Sequence, residues 1–273
     1  MTKMEITGLT KRRLAEYLDK GKRFDQRGPL DYRDVSIELD FAKNAEGSAR
    51  VKIGKTEVLA GVKMSVGTPY TDSPNSGVLV TTAEFTPMAS DKFEPGPPSI
   101  ESIELARIVD RGIRESEFID FEKLSIKEGE LVWMINLDVY PINDAGNLID
   151  ACALAAVAAL SQTVLPKIEN DKVQFGELTS KKLPLSDKMP LTMTFYKIGK
   201  HMIIDPITEE EEASDARMTF EISTDKKEDF INALQKGGDN PFTVDEINNL
   251  IDLAFKNYKK LKEIFNKETK KGK

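Results

Sequence analysis

One cysteine, one histidine and one tryptophan are all that 273 residues contain of these types. The single cysteine, Cys152, excludes an intramolecular disulfide. It lies in the apolar run 151–160, where it reads as a buried, inert thiol suited to a reducing cytosol. The single histidine, His201, has no nearby second histidine or cysteine to form a ligand set, so a structural zinc is excluded and the ring reads as structural; no metal or cofactor is assigned to the chain. Long hydrophobic runs are missing too. The stretch 151–160 is the longest, short of the roughly 20 residues that cross a bilayer as a helix. The first residues are polar and lack the apolar core of a signal peptide, so no membrane contact and a cytoplasmic location are expected. Net positive charge is also absent. Lysine and arginine number 39 against 46 acidic residues, a net charge of −7, so any nucleic-acid contact must come from a local basic patch.

What is present is a globular chain. Forty per cent of its residues are hydrophobic, enough to bury one large core or two packed smaller ones. Residues 5–20 have the apolar spacing of an amphipathic helix. Strands are expected at 35–39, 49–53, 57–66 and 78–85, with Gly54-Lys55 as a tight turn between the second and third. A Pro/Gly-rich loop at 88–98 holds Phe93 and precedes a helix over 99–115. A strand over 131–140, carrying Trp133 as packing, leads through a turn at 141–147 into a helix over 148–164. That helix is apolar nearly all round and so is buried, with Pro166 helping to stop it. The second half repeats the pattern. Strands at 191–196 and 201–204, a solvated acidic loop at 209–215, and strands near 218–222 and 230–234 precede a long last helix, which Thr243-Val244-Asp245-Glu246 opens as a capping box. Strands followed by helices in both halves indicate an α+β architecture.

The helix over 99–115 carries Arg107, Arg111 and Arg114. At 100° per residue they fall within about 60° of one another, opposite Leu105, Ala106, Ile108, Val109 and Ile113. A row of guanidiniums suits successive phosphates, which arginine binds bidentately. A solvated face, with Glu104, Asp110 and Glu115 pairing the arginines, explains the same pattern.

Four stretches in order resemble the ribonuclease PH family across residues 20–260. They are Arg23-Phe24-Asp25-Gln26-Arg27 with Arg33; Glu104-Leu105-Ala106-Arg107-Ile108-Val109-Asp110-Arg111; the strand-turn-helix containing Asp144-Ala145-Gly146; and Asp205-Pro206-Ile207-Thr208-Glu209-Glu210-Glu211. The resemblance implies mixed sheets packed against helices in two related halves, 31–166 and 188–266. Residues 1–30 would form an N-terminal helix and link, and 267–273 a lysine-rich disordered tail. Active members of the family shorten RNA from its 3′ end with phosphate. They hold the phosphate with a Ser/Thr-Arg pair after Asp-Ala-Gly, at a helix N-terminus where unpaired N–H groups favour an anion. They also carry two aspartates six residues apart after the later acidic loop.

This chain departs from that pattern twice. The phosphate pair reads Asn147-Leu148, and the two aspartate positions fall on Glu211 and Arg217, where an arginine cannot serve as a metal ligand or proton shuttle. A shift of register would bring in Asp215 but would not rescue Leu148. The pattern of loss resembles the inactive subunits of the archaeal exosome. There, three active and three inactive subunits alternate in a ring around a central channel, associated with RNA-binding cap proteins. The resemblance therefore implies no catalytic residues of the chain's own, an active homologue as partner, and single-stranded RNA contacted by Arg107 and Arg111, then Arg114. Two rival readings make different demands. An exoribonuclease active on its own requires a site that works despite Leu148 and Arg217. A purely structural ring spacer requires the arginines to be paired internally with Glu104, Asp110 and Glu115.

Overall fold

The computed structural model describes residues 8–226 and 228–271. The chain runs α1 (Gly8–Asp19), β1 (Val35–Leu39), β2 (Gly47–Ile53), β3 (Thr56–Gly67), β4 (Val78–Ala83), α2 (Ile100–Glu115), β5 (Ser125–Lys127), β6 (Leu131–Asn143) and α3 (Leu148–Gln162). It continues with β7 (Val164–Glu169), β8 (Lys172–Lys182), β9 (Leu191–Ile198), β10 (His201–Ile204), α4 (Thr208–Ala213), β11 (Ala216–Thr224), β12 (Asp229–Gly237) and α5 (Val244–Lys271). Alternating burial along β3 and β6 is what a sheet with one face in the core requires.

The first sheet has the order β1-β2-β3-β6-β4, with β5 pairing β6. All its pairings are antiparallel except β4 with β6. The second sheet is antiparallel, in the order β10-β9-β11-β12. Between them lies α3, buried along 148–160 and packed on β2 and β3 of one sheet and β9 of the other. Its alanines allow both sheets to approach a helix that has no solvent face. Helix α2 spans β4 and β12, edge strands of the two sheets, and also packs on α3. Helix α5 covers β1, β9 and β11. The fold is therefore α+β, as expected.

Several boundaries differ from expectation. The turn at 141–147 begins later, because β6 runs to Asn143 with Pro141 opposite Val58, where the register shifts and a missing N–H is tolerated. Pro166 does not stop α3: the helix ends at Gln162, and Pro166 sits in β7 beside a register shift. The polar hairpin of β7 and β8 has little apolar alternation and gave no strand signal. Residues 209–213 of the expected acidic loop lie instead in the helix α4, because Glu210 caps its own first turn by accepting from the Ile207 N–H at 3.0 Å. The tail is corrected as well. Helix α5 continues through Lys271, with the Thr269 hydroxyl donating to the Phe265 carbonyl at 2.7 Å; 272 and 273 lie outside the described residues, as do 5–7 of the first expected helix. The capping box at Thr243 forms as expected: Glu246 N–H donates to the Thr243 hydroxyl at 3.2 Å, and Thr243 N–H donates to Glu246 at 2.8 Å.

Candidate nucleic-acid interface

Helix α2 starts where Ser99 accepts a hydrogen bond from the Ser102 N–H, and it buries Leu105, Ile108, Val109 and Ile113. Those anchors leave Arg107, Arg111 and Arg114 exposed together on the other side. The three are not equivalent. Arg114 bends back: it donates to both oxygens of Asp110 at 3.1 Å and to the Leu79 carbonyl at 3.2 Å, with its guanidinium 5.9 Å from the Phe121 ring centre. Glu104 is taken by Arg217 at 2.7 Å. Among the described residues, Arg107 and Arg111 have no hydrogen bond or ion pair. The fully paired stripe that a purely structural spacer requires is thus met at Arg114 alone.

The N-terminus of α3 is the second half of the site. Gly146 is left-handed (φ 89°), and a Cβ there would lie 2.5 Å from the Pro206 carbonyl oxygen, so the turn needs glycine. Asn147 follows, also left-handed (φ 63°) and fully buried, donating from Nδ2 to Asp205 at 3.0 Å and to Asp150 at 3.2 Å. Its backbone N–H, which would face an anion at this helix end, donates to Glu211 Oε2 at 3.0 Å. Glu211 also accepts from the Tyr196 hydroxyl at 2.9 Å. Burial raises the Glu211 carboxyl above the ordinary glutamate range, against the pull of the Asn147 N–H. Leu148 is buried at the first helical position. A carboxylate of the chain itself thus occupies the helix end, and the charge of Arg217 acts on it favourably.

The motif arginines serve a different purpose. Arg23 is fully buried and pairs with Glu210, also donating to the Ile204 and Asp205 carbonyls at 2.8 Å. Arg33 grips Asp205 with Nη2 at 2.6 Å and the Ala145 carbonyl with Nη1 at 2.7 Å, while Arg27 reaches Asp205 at 3.0 Å. Together they clamp the segment 23–33 and the 144–147 turn onto the segment 204–211. Glu212 pairs with Lys92. Of the acidic run, Glu210, Glu211 and Glu212 therefore have internal partners rather than standing solvated. Asp215 accepts from Lys11 at 2.6 Å and from the Gly199 N–H at 2.7 Å, which holds its carboxyl below the ordinary range despite partial burial. His201 contacts Asp19 at 3.0 Å, Trp133 is buried, and Cys152 is buried, its thiol pushed up out of the reactive range.

Sequence reasoning did not find the Glu211 plug, nor a buried carboxylate beneath α2. Glu221 on β11 is 3% exposed, accepts from the Thr192 hydroxyl at 2.7 Å, and is pushed up to about 8 by burial. Its strand context reads as ordinary alternation, so no signal marks it.

Two sheets around a buried helix, with a glycine turn at that helix's N-terminus and an arginine row on α2, define the ribonuclease PH class of fold. The family model described as 3′ exoribonuclease family, domain 1, matches residues 31–166, and domain 2 matches residues 188–257. The chain belongs to this family. Among its relatives is the Exosome complex component Rrp42 of Pyrococcus horikoshii, 41% identical over 269 residues, covering 98% of this chain and 97% of that one. The protein of the same name from Methanosarcina acetivorans is 44% identical over 261 residues, covering 95% and 94%. A solved structure described as the Archaeoglobus fulgidus exosome with RNA bound to the active site superposes with a TM-score of 0.86 at 42% identity, covering 94% of this chain and 98% of that one. Among the described residues no helix is long and apolar enough to cross a membrane.

Proposed function

We propose that the chain is the non-catalytic subunit of an exosome ring that degrades RNA phosphorolytically from the 3′ end. It would alternate with an active homologue, three of each, beneath RNA-binding cap proteins, in the cytoplasm. The observation that carries the reading is the α3 N-terminus: Leu148 stands where an active member has its phosphate-binding arginine, and Glu211 accepts the N–H that would otherwise meet phosphate. A bound phosphate would have to displace that carboxylate, and Arg217, whose charge acts on it, is already paired with Glu104. Arg217, paired with Glu104, supplies no carboxylate for acid or metal chemistry. The chain's positive contribution is the row Arg107 and Arg111, which make no hydrogen bond or ion pair among the described residues and suit RNA phosphates; Arg114 is the weaker third member. Their freedom favours RNA contact over a spacer without one.

The test is phosphate-dependent shortening of a 5′-labelled oligo(A), with the chain alone and with its active homologue. Silence alone and activity on mixing are expected. Robust shortening by the chain alone would overturn the reading and establish an independent exoribonuclease.

A further inference from the structure

Gly112 follows Arg111 on α2 and has no side chain, which lets the Glu221 carboxylate lie directly against the helix: a Cβ on Gly112 would be 2.5 Å from Glu221 Oε2. Oε2 accepts from Thr192, whereas Oε1 is buried with no donor among the described residues. Arg111, Glu221, Ile108, Thr219 and Gln235 line one narrow recess between α2, β11 and β12. The guanidinium of Arg111 is thus the cation above a carboxylate with a vacant acceptor. The other groups facing Glu221 are uncharged Thr192 on β9 and Asp150 on α3. Asp150 is held by Thr194 and Asn147, and its charge disfavours ionisation of Glu221 while that of Arg111 favours it.

We propose that Glu221 is a positioning residue for Arg111, competing with the RNA phosphate for the same guanidinium. This rests on the reading of Arg111 as an RNA contact. Neutral Glu221 leaves Arg111 to the phosphate. Ionised Glu221 draws Arg111 into the recess and sets a negative charge beneath the RNA. Burial puts the change near pH 8. Binding that retains one proton on Glu221 weakens by up to about tenfold per pH unit above that point.

The experiment is anisotropy of labelled oligo(A) on the assembled complex without phosphate, from pH 7 to 9, for wild type, Glu221→Gln and Arg111→Ala. Glutamine keeps the Thr192 bond and the volume. Wild-type affinity is expected to fall roughly five- to tenfold relative to Glu221→Gln across this range, with Arg111→Ala as flat as Glu221→Gln. Arg111→Ala binding as tightly as wild type at every pH would instead sink the RNA reading of Arg111, and this proposal with it. If Arg111→Ala binds weakly but the wild-type profile runs parallel to both variants, the competition is refuted and the RNA contact stands. Should Glu221→Gln fail to assemble, the wild-type and Arg111→Ala profiles decide alone: parallel slopes refute the proposal, and a slope lost in Arg111→Ala supports it.

Discussion

Replacing Arg107 and Arg111 together by alanine removes two exposed cations that make no hydrogen bond or ion pair among the described residues; the buried Glu221 carboxyl that Arg111 faces is pushed up to about 8 and so is mostly neutral at pH 7, and the change spares the α2 core contacts of Ile108 and Val109. Stability is therefore expected to hold within about 0.5 kcal/mol. Each phosphate contact lies between an exposed ion pair and a charge-assisted hydrogen bond, about 1–1.5 kcal/mol. Two of them amount to about 2–3 kcal/mol, or roughly 30- to 140-fold in affinity of the assembled complex for single-stranded RNA. The dependence on salt provides a second, independent number. Single strands release counterions with a slope of about 0.7 per phosphate neutralised, so losing two contacts flattens the plot of log affinity against log salt by about 1.4. Fluorescence anisotropy of oligo(A) between about 50 and 200 mM salt reads both quantities. Arg114→Ala is the internal control, with a smaller loss because its guanidinium already pairs with Asp110. Affinity unchanged at the lowest salt, with an intact ring, would refute the assignment of the stripe to RNA.

Other perturbations test the frame that holds the site. Arg23→Ala leaves Glu210 buried without its cation, and a loss of about 3–5 kcal/mol is expected by denaturant unfolding; a loss below 1 kcal/mol would show that the clamp is not needed. Gly112→Ala pushes a methyl into Glu221 and is expected to cost about 1–3 kcal/mol in a thermal or denaturant melt. Glu221 binds its proton more tightly in the folded chain, where it titrates near 8, than in the unfolded chain. The folded state therefore holds more protons, and this contribution to stability is full below the unfolded value and lost as pH rises through the folded one. Glu221→Gln removes that loss, so its stability relative to wild type is expected to climb from about pH 4.5 to pH 8 and then level off. A constant difference across that range would rule out a buried, raised Glu221.

The amino-acid order by itself determined a good deal. Periodicity alone placed α2, α3 and most of the strands, because each presents a strong apolar pattern to a core. The arginine row is a matter of helical geometry, so it too was visible before any fold was known. The missing arginine at Leu148 and the misplaced one at Arg217 could be read once the family resemblance supplied the positions. Elements without such a pattern escaped: the polar β7–β8 hairpin, and α4, whose helix depends on the Glu210 cap and on a clamp formed with Arg23, 187 residues away.

Tertiary structure alone decided which charges are spent and which are free. Arg107, Arg111 and Arg114 look alike in sequence, yet Asp110 and the Leu79 carbonyl engage only the last. Arg23, Arg27 and Arg33 carry the family resemblance in sequence without a stated role, and packing sets them to clamp Asp205, Glu210 and nearby carbonyls. Glu211 reads as one solvated acid among several, yet it meets the α3 helix end. Glu221 reads as a strand residue, yet it lies beneath Arg111 because Gly112 makes room. The physical reason is common to all of these. Helical phase is set locally, whereas the partner of a charge is set by which distant segments the packing brings within a few ångströms, and Coulomb and desolvation terms depend steeply on that distance and burial.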